Sequence, residues 1–326
     1  MIGIIYESEL NNPYKNLALE EYFLRFCEKS GRAILYLWQN ANTIVIGRNQ
    51  NAYTECNIEY VKSNNVYVAR RLTGGGAVYH DLGNLNFTII LPKILFDAKR
   101  STNLIVKALQ QLGINAEANG RNDICIGDKK ISGNAYYANK KVGMHHGTLL
   151  YKVDGEIISK ALNVSQNKLS KHGVKSVKSR VINISSIFPN IGISDIKKSL
   201  KESFIKEYDI EEVENIEIEN DEYLNILKKY ESSNWNFDKI KDYKVSLSKC
   251  FNWGKVDLSL LYDGETLQEI EIATDALEAD IIEELKNKIN EKIKTGLDNI
   301  LELRFSYKEY EFIVNDLFTM LSGINL

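Results

Sequence analysis

Near the start of the chain, apolar positions recur at the spacing of one face of a helix. Asn12 is suited to cap such a helix and Pro13 to occupy its first position, so we predict that a helix begins there. Glu21 falls inside the apolar face. A carboxylate that faces inward needs a partner or a polar cavity, so Glu21 is either an edge residue in water or a functional group. The apolar members of the face are Tyr14, Leu17, Ala18 and Leu24.

Several short runs have the composition of strands. They are rich in β-branched and aromatic residues and end at polar turn residues. These runs are Ala33–Trp38, Thr43–Gly47, Val66–Arg71, Asn86–Leu91, Lys130–Tyr137 and Met144–Tyr151. Two more helices are predicted, one from Ser101 to a stop at Gly113 and one over Asp195–Tyr208. Helices interspersed with many strands favour an α+β domain with a mixed or antiparallel sheet over a doubly wound fold.

The last part of the chain has a pattern of its own. Two strands, Val256–Tyr262 and Gln268–Ile272, can pair around the turn signal Asp263-Gly264. A long amphipathic helix follows. We therefore predict a large domain over residues 1–243 and a small α+β domain over residues 244–326.

Composition narrows the class of protein. The 326 residues carry 41 Lys and Arg against 44 Asp and Glu, a formal charge of −3. A chain so balanced has no general attraction to phosphate backbones, so we expect no sequence-independent binding of nucleic acid. No stretch approaches the ~20 apolar residues of a membrane helix, and the first residues lack the features of a secretory signal. Four scattered cysteines fit reduced thiols in a cytoplasmic protein.

The densest chemistry lies in the segment RRLTGGGAVYHD, which begins at Arg70. Three glycines, Gly74 to Gly76, follow a strand that ends in two arginines. A backbone without Cβ atoms can approach a ligand closely and turn its N–H groups toward it, which suits a phosphate. A glycine-rich hairpin with two surface arginines remains the alternative. The spacing fits neither a P-loop nor a dinucleotide-binding motif.

A second dense segment runs from Gly120 through Lys129 and Lys130 to Ala135. A lysine among turn residues can reach into a cleft as a compact positive charge, although adjacent lysines at a hairpin tip usually face water. Because neighbouring side chains on a strand face opposite ways, at most one of these two lysines points inward.

The third segment is His145-His146-Gly147-Thr148. Adjacent histidines on a strand face opposite sides and do not chelate one metal ion well. We therefore interpret one of them as part of a pocket wall and do not predict a metal-binding pair.

Taken together and in this order, these segments resemble the lipoate–protein ligase A family. The resembling pieces are RRLTGGGAVYHDLGNLNF, GRNDICIGDKKISGNAYY, HHGTLLY and KSVKSRVINIS, with further support from LYLWQNANTIVIGRNQN. The likeness runs through most of residues 1–245, and the tail resembles the accessory domain of longer, bacterial-type members. The implied fold is the mixed sheet of biotin and lipoate ligases with flanking helices. In this chain Leu72-Thr73 stands where Ser-Ser is common, which keeps a hydroxyl.

The resemblance implies a ligase that works in two steps. Lipoate and Mg-ATP give lipoyl-AMP and pyrophosphate, and the lipoyl group then passes to a lysine of an apo lipoyl domain. Lys130 would contact the phosphate and acyl oxygens, Asp123 is a candidate magnesium ligand, and Arg71 with Gly76, Ala77, Val78 and Tyr79 would bind the nucleotide. The remaining implied pocket residues are Glu21, Trp38, Thr73, Gly74, Gly75, His80, Asn84 and His146.

The implied acceptors are acyltransferase subunits of 2-oxoacid dehydrogenases and the H protein of glycine cleavage. We expect a monomer, because no apolar repeat calls for a second copy. Two alternatives stay open: an acyltransferase that works without ATP, with Cys125 as its nucleophile, and a module that binds lipoate or a nucleotide without catalysis.

Overall fold

The computed structural model describes residues 1–120, 122–163, 181–218, 220–237, 245–263, 266–295 and 310–322. The strands of this part are β1 Ile2–Glu7, β2 Ala33–Trp38, β3 Thr43–Ile46, β4 Tyr67–Arg70, β5 Val78–His80, β6 Asn84–Pro92, β7 Glu117–Asn119, β8 Asp123–Ile126, β9 Lys129–Ala138, β10 Val142–Leu150, β11 Glu212–Glu214, β12 Val245–Cys250, β13 Lys255–Asp263 and β14 Thr266–Thr274. The helices are α1 Pro13–Ser30, α2 Ala52–Glu55, α3 Ile58–Ser63, α4 Ala98–Gln111, α5 Gly155–Ala161, α6 Ile184–Ile187, α7 Ile193–Glu207, α8 Asp221–Glu231, α9 Ser233–Asn236, α10 Ala279–Thr295 and α11 Glu311–Ser322.

Eight strands form one mixed sheet in the order β11-β1-β2-β6-β10-β9-β8-β7. β1 pairs in parallel with β2 and β11, and the other neighbours are antiparallel. A separate small sheet has the order β4-β3-β5. The prediction of an α+β domain with a mixed sheet is confirmed.

Helices cover both faces of the large sheet. On one face α4 and α7 bury a core that includes Leu104, Leu109, Leu200 and Phe204. On the other face α1 and α8 bury a second core that includes Leu17, Phe23 and Tyr36. This second face carries the candidate site. Among the described residues, no helix is both long and apolar enough to cross a bilayer.

The helix boundaries follow from capping side chains. The Oδ1 of Asn12 accepts the N–H groups of Tyr14 and Lys15, so α1 begins at Pro13 as predicted. The helix predicted from Ser101 begins earlier, at Ala98, because Asp97 caps it. Its first turn is polar and adds nothing to the apolar face, so the hydrophobic pattern did not reveal it.

The C-terminal part is a small α+β unit, as predicted. The antiparallel sheet β12-β13-β14 packs against α10 and α11. The predicted strand pair is present over β13 and β14, while the turn residues 264–265 lie outside the described residues. The domain boundary between residues 243 and 244 falls in the range 238–244, which is also outside the described residues, so the boundary stays a prediction.

Candidate active site

A cavity of about 270 Å³ lies between the large sheet and the glycine-rich loop that joins β4 to β5. Leu17 of α1 and Val45 of β3 add apolar surface to its wall. Nine of the residues that the family resemblance assigns to the site line this cavity: Trp38, Arg71, Gly75, Gly76, Ala77, Val78, His80, Lys130 and His146. Residues from both sheets and from helix α1 therefore meet around one cavity.

Arg71 holds the glycine-rich loop through hydrogen bonds to its backbone. Its Nη2 donates to the carbonyl oxygens of Gly74 at 2.7 Å and Gly76 at 2.9 Å, and its Nε donates to Thr73 Oγ1 at 3.1 Å. Burial lowers the pKa of this guanidinium to about 10, against the opposing effect of the Glu20 carboxylate. Arg71 is thus a cation at neutral pH that both ties the loop and lines the cavity.

The preceding arginine has a different surrounding. Arg70 is buried and donates to the backbone oxygens of Trp235, Arg48 and Gln50. Neighbouring strand residues face opposite sides, which explains why the two arginines separate. Arg70 holds backbone segments together and does not line the cavity.

The three glycines of the loop have different surroundings. Gly75 has φ +93°, and its N–H donates to the carbonyl oxygen of Ala276 at 2.8 Å, in the C-terminal unit. A Cβ on Gly74 would lie 2.1 Å from that same oxygen. At Gly76 a Cβ would meet no described atom within 4 Å. The first two glycines therefore permit close contact with the C-terminal unit, and only Gly76 faces open space.

Lys130 and Asp123 form an ion pair at the cavity wall. The Nζ of Lys130 lies 2.7 Å from Oδ1 of Asp123, and about a third of each side chain is exposed to solvent. Lys129 points elsewhere, with its ammonium 3.5 Å from Asp128. Only one of the two lysines lines the cavity, as strand alternation predicts.

The two neighbouring histidines also face opposite sides. His146 lines the cavity, while His145 stacks on Tyr136 with ring centroids 4.7 Å apart and lies 2.9 Å from Asn134 Oδ1. Burial lowers the pKa of His145 to about 3. One histidine is therefore a wall residue and the other a core residue. Within the described residues, no group of three or more His, Cys, Asp or Glu is arranged to hold a metal ion.

The hydrogen bonds around His80 determine where its proton lies. Asn16 Nδ2 donates to the carbonyl oxygens of Leu10 and Gln39, which identifies this atom as a nitrogen. The Asn40 amide atom that lies 3.0 Å from it is therefore the oxygen, an acceptor, and the Asn40 nitrogen faces His80. Asn40 Nδ2 then donates to His80 Nδ1 at 3.2 Å. Because burial lowers the pKa of His80 to about 3, the ring is neutral and its proton is on Nε2. That N–H is buried and has no hydrogen-bond partner among the described residues.

Five further predicted residues lie next to the cavity wall without forming it. Tyr79 donates its hydroxyl to Asn42, away from the cavity, at 2.6 Å. Asn84 donates to Asn86 at 2.8 Å, and Asn86 is the residue of that pair on the wall. The other three contact wall residues, and they are Thr73, Gly74 and Asp123.

Glu21, predicted to line the pocket, does not reach it. Its carboxylate accepts Arg25 Nη2 at 2.6 Å and Lys229 Nζ at 2.7 Å, between α1 and α8. Burial alone would raise its pKa, but Lys229 and Arg25 together bring the pKa below the ordinary value.

The carboxylate that contacts a wall residue of the cavity belongs to the preceding residue. Glu20 Oε1 lies 2.8 Å from His146 Nδ1 and 2.6 Å from Thr88 Oγ1. Sequence reasoning missed Glu20, because the apolar stripe chosen for α1 contains Glu21. The helix is buried on nearly every side, and Glu20 lies on the side of Phe23 and Cys27, outside that stripe.

Cys125 does not have the setting of a nucleophile. It is buried, pairs across the strands with Lys130 and accepts a weak hydrogen bond from Asn119 Nδ2 at 3.8 Å. Burial raises the pKa of its thiol. Activated cysteines have a lowered pKa, so nothing in this geometry favours the acyltransferase alternative.

Comparisons with known proteins agree with this architecture. The family model for the lipoyl protein ligase A/B catalytic domain matches residues 12–205, and the model for the bacterial lipoate protein ligase C-terminus matches residues 241–315. A lipoate-protein ligase A from Psychrobacter cryohalolentis is 36% identical over 297 residues, and the match covers 87% of each chain.

Solved structures give the same relationship. The Plasmodium falciparum LipL1 in complex with lipoate has a TM-score of 0.82 and 29% identity, over 97% of this chain and 99% of the other. A lipoate-protein ligase A bound with ATP has a TM-score of 0.63 and 27% identity, over 72% and 98%. A bipartite ligase from Thermoplasma acidophilum, solved with its E2 lipoyl domain, has a TM-score of 0.66 and 28% identity, over 75% and 100%. The chain belongs to the lipoyl protein ligase A/B family and carries the bacterial C-terminal domain of the lipoate protein ligases.

Proposed function

We propose that this protein is an ATP-dependent lipoate–protein ligase. It would activate lipoate as lipoyl-AMP, release pyrophosphate, and transfer the lipoyl group to a lysine of an apo lipoyl domain. The observation that carries the proposal is the meeting of Lys130, from the large sheet, with Arg71 and the glycine-rich loop, from the small sheet, around one cavity. The relatives solved with lipoate and with ATP support the two substrates.

The first step joins two anions, the lipoate carboxylate and the α-phosphate of ATP. A fixed cation and N–H donors between them favour the charge-rich transition state. Lys130 is the proposed cation and Arg71 the second one, held in place by the loop carbonyls it binds. The backbone from Gly76 to Tyr79 is the proposed nucleotide contact.

The acyl chain needs a slot of a different character. Lipoate is largely apolar, so its binding surface should combine apolar walls with a few polar groups at one end. Leu17, Trp38, Val45 and Val78 give the cavity such walls. His80 adds one neutral N–H donor among them.

Magnesium enters the proposal as a partner of the ATP phosphates. Mg²⁺ is commonly held by one or two carboxylates together with substrate phosphates. Asp123 and Asn122 offer oxygen ligands beside the cavity and fit that arrangement. When bound, the ion would supply charge neutralisation at the phosphates.

In the second step the neutral amine of the acceptor lysine attacks the acyl carbonyl carbon. The bond from that carbon to the phosphate oxygen breaks, AMP leaves, and the amine nitrogen loses a proton. The mixed anhydride is already activated, so this route needs no enzyme nucleophile. We propose apo lipoyl domains as acceptors, including acyltransferase subunits of 2-oxoacid dehydrogenases and the H protein of glycine cleavage. The archaeal relative solved with its E2 lipoyl domain supports this class of partner.

The test is incubation with lipoate, Mg-ATP and a panel of apo lipoyl domains, followed by intact mass measurement. We expect one lipoyl group per acceptor, dependent on ATP and absent when the acceptor lysine is replaced by arginine. Transfer from an acylated carrier protein without ATP, lost in Cys125→Ser, would favour the transferase instead. Bound lipoyl-AMP with no transfer to any acceptor would indicate a binding module.

A further inference from the structure

A chain of hydrogen bonds beneath the cavity ends on one buried carboxylate. From one side, Trp38 Nε1 donates to Thr88 Oγ1 at 3.1 Å, and Thr88 Oγ1 donates to Glu20 Oε1 at 2.6 Å. From the other side, Arg71 Nε lies 3.1 Å from Thr73 Oγ1, which lies 2.8 Å from His146 Nε2. The Nδ1 of His146 completes the chain at 2.8 Å from the same oxygen of Glu20.

Groups that can only donate or only accept fix the direction of every bond. An indole N–H and a guanidinium N–H only donate, and an ionised carboxylate only accepts. The Glu20 carboxylate therefore accepts the Nδ1 hydrogen of His146. The neutral imidazole then has no hydrogen on Nε2, which accepts the hydrogen of Thr73, while the Thr73 oxygen accepts from Arg71. Each hydrogen in the chain has one acceptor.

The other neutral tautomer of His146 leaves groups unmatched. With its proton on Nε2, the bare Nδ1 would lie 2.8 Å from Glu20 Oε1 with no hydrogen between the two acceptors, and the Thr73 hydrogen would lose its acceptor. All these side chains are buried, and Glu20 is only 1% exposed. Unmatched polar groups are costly in such a place.

We propose that Glu20 is a positioning residue for the adenylation step: it fixes His146 as the Nδ1–H tautomer and, through Thr73, holds Arg71 and the glycine-rich loop. The role rests on the proposed ligase function. Trp38, His146 and Arg71 all line the cavity, so one carboxylate at its base orders three wall residues. Glu20 itself touches neither substrate and acts through the others.

The most direct test determines which ring nitrogen of His146 carries the proton. The protein has four histidines, and ¹⁵N-histidine labelling resolves the two ring nitrogens of each by NMR, with His146→Gln used for assignment. We expect His146 to carry its proton on Nδ1 at pH 7.5 in the wild-type protein. A proton on Nε2 would overturn the proposal, and this result depends on no variant that could fail to fold.

Kinetics test the functional part. Glu20→Leu removes the acceptor and is expected to lower kcat/KM for lipoate-dependent ATP–pyrophosphate exchange by about 10- to 100-fold, the scale for losing a residue that orients a ligating group. Glu20→Gln keeps an acceptor oxygen and should restore most of the loss. Glu28→Gln is the matched control, because Glu28 lies on the same helix and accepts from Asn139, away from the cavity.

A double variant separates positioning from general structure. Because Glu20 acts through His146, Glu20→Leu combined with His146→Gln should lose no more than the worse single variant. Fold losses that multiply, or a folded Glu20→Leu protein with exchange within about twofold of wild type, would contradict the role. Wild-type protein without exchange would refute the ligase function, while the NMR result would still decide the tautomer.

Discussion

The ammonium nitrogen of Lys130 lies 2.7 Å from a carboxylate oxygen of Asp123, across the neighbouring strands β9 and β8. With a third of each side chain exposed, the pair contributes little to folding. Its effect is to hold a flexible side chain in one direction at the cavity wall. A cation in a fixed place is what the joining of two anions requires.

Replacing Lys130 with alanine should therefore lower lipoate-dependent ATP–pyrophosphate exchange by about 100-fold or more, the scale of losing one donor to a developing charge. Lys130→Arg should restore little, because a planar guanidinium does not replace a compact point charge. Lys129→Ala is the matched control and should stay within about twofold of wild type. Near-normal exchange in Lys130→Ala would show that the lysine is misassigned.

The glycines of the loop should respond differently to alanine. Gly75→Ala places a side chain at φ +93°, beside an Arg71 nitrogen 2.9 Å away, and should lower the free energy of unfolding by about 1–3 kcal/mol. Gly76→Ala meets no described atom within 4 Å, so it should keep wild-type stability. If the nucleotide approaches Gly76, this variant should raise KM for ATP, as measured by initial-rate kinetics. An unchanged KM would place the nucleotide elsewhere.

We expect Glu21 to stabilise the fold. Its carboxylate is 6% exposed and neutralises Lys229 between α1 and α8. Glu21→Gln leaves that ammonium without its anion and should lower the free energy of unfolding by about 1–3 kcal/mol. Adenylation by the folded variant should change far less than in Glu20→Leu. A large rise in KM for lipoate would show that Glu21 reaches the substrate after all.

Stability should fall in acid through the buried histidines. The pKa of His145 is lowered to about 3, so its neutral form stabilises the fold fully above the unfolded pKa of ~6.5. This contribution is lost as pH falls from about 6.5 toward 3, at about 1.4 kcal/mol per pH unit. Denaturant unfolding at a series of pH values from 7.5 to 4.5 gives the free energy of unfolding as a function of pH. Below pH ~6.5 this free energy should fall less steeply in His145→Phe than in the wild-type protein, by the amount just given. Equal slopes in the two proteins would contradict the burial of a neutral imidazole.

Local signals were sufficient for most of the fold. The run Ala33–Trp38 is apolar at every position because both faces of its strand are covered, and the structure has a strand with those bounds. The division of the strands between two sheets was not predictable in the same way. β3 could have joined the large sheet, and only contacts distant in sequence, with β4 and β5, decide its partners.

Local patterns were sufficient for some single residues of the site and insufficient for others. Strand alternation was enough to separate Lys130 from Lys129 and His146 from His145. The apolar stripe of α1 pointed to Glu21 and not to Glu20, because it did not show that this helix is buried on nearly every side. Only the packing of α8 places Lys229 beside Glu21. Nor could it show that the amide of Gly75 would bind Ala276, which lies in the other domain.

The measurement that tests the account most directly is isotope exchange between pyrophosphate and ATP in the wild-type protein. Joining lipoate to AMP at the Lys130 cavity predicts exchange that requires both lipoate and Mg²⁺ and needs no acceptor protein. Folded protein that shows no exchange with lipoate present, or equal exchange without it, would contradict the claim.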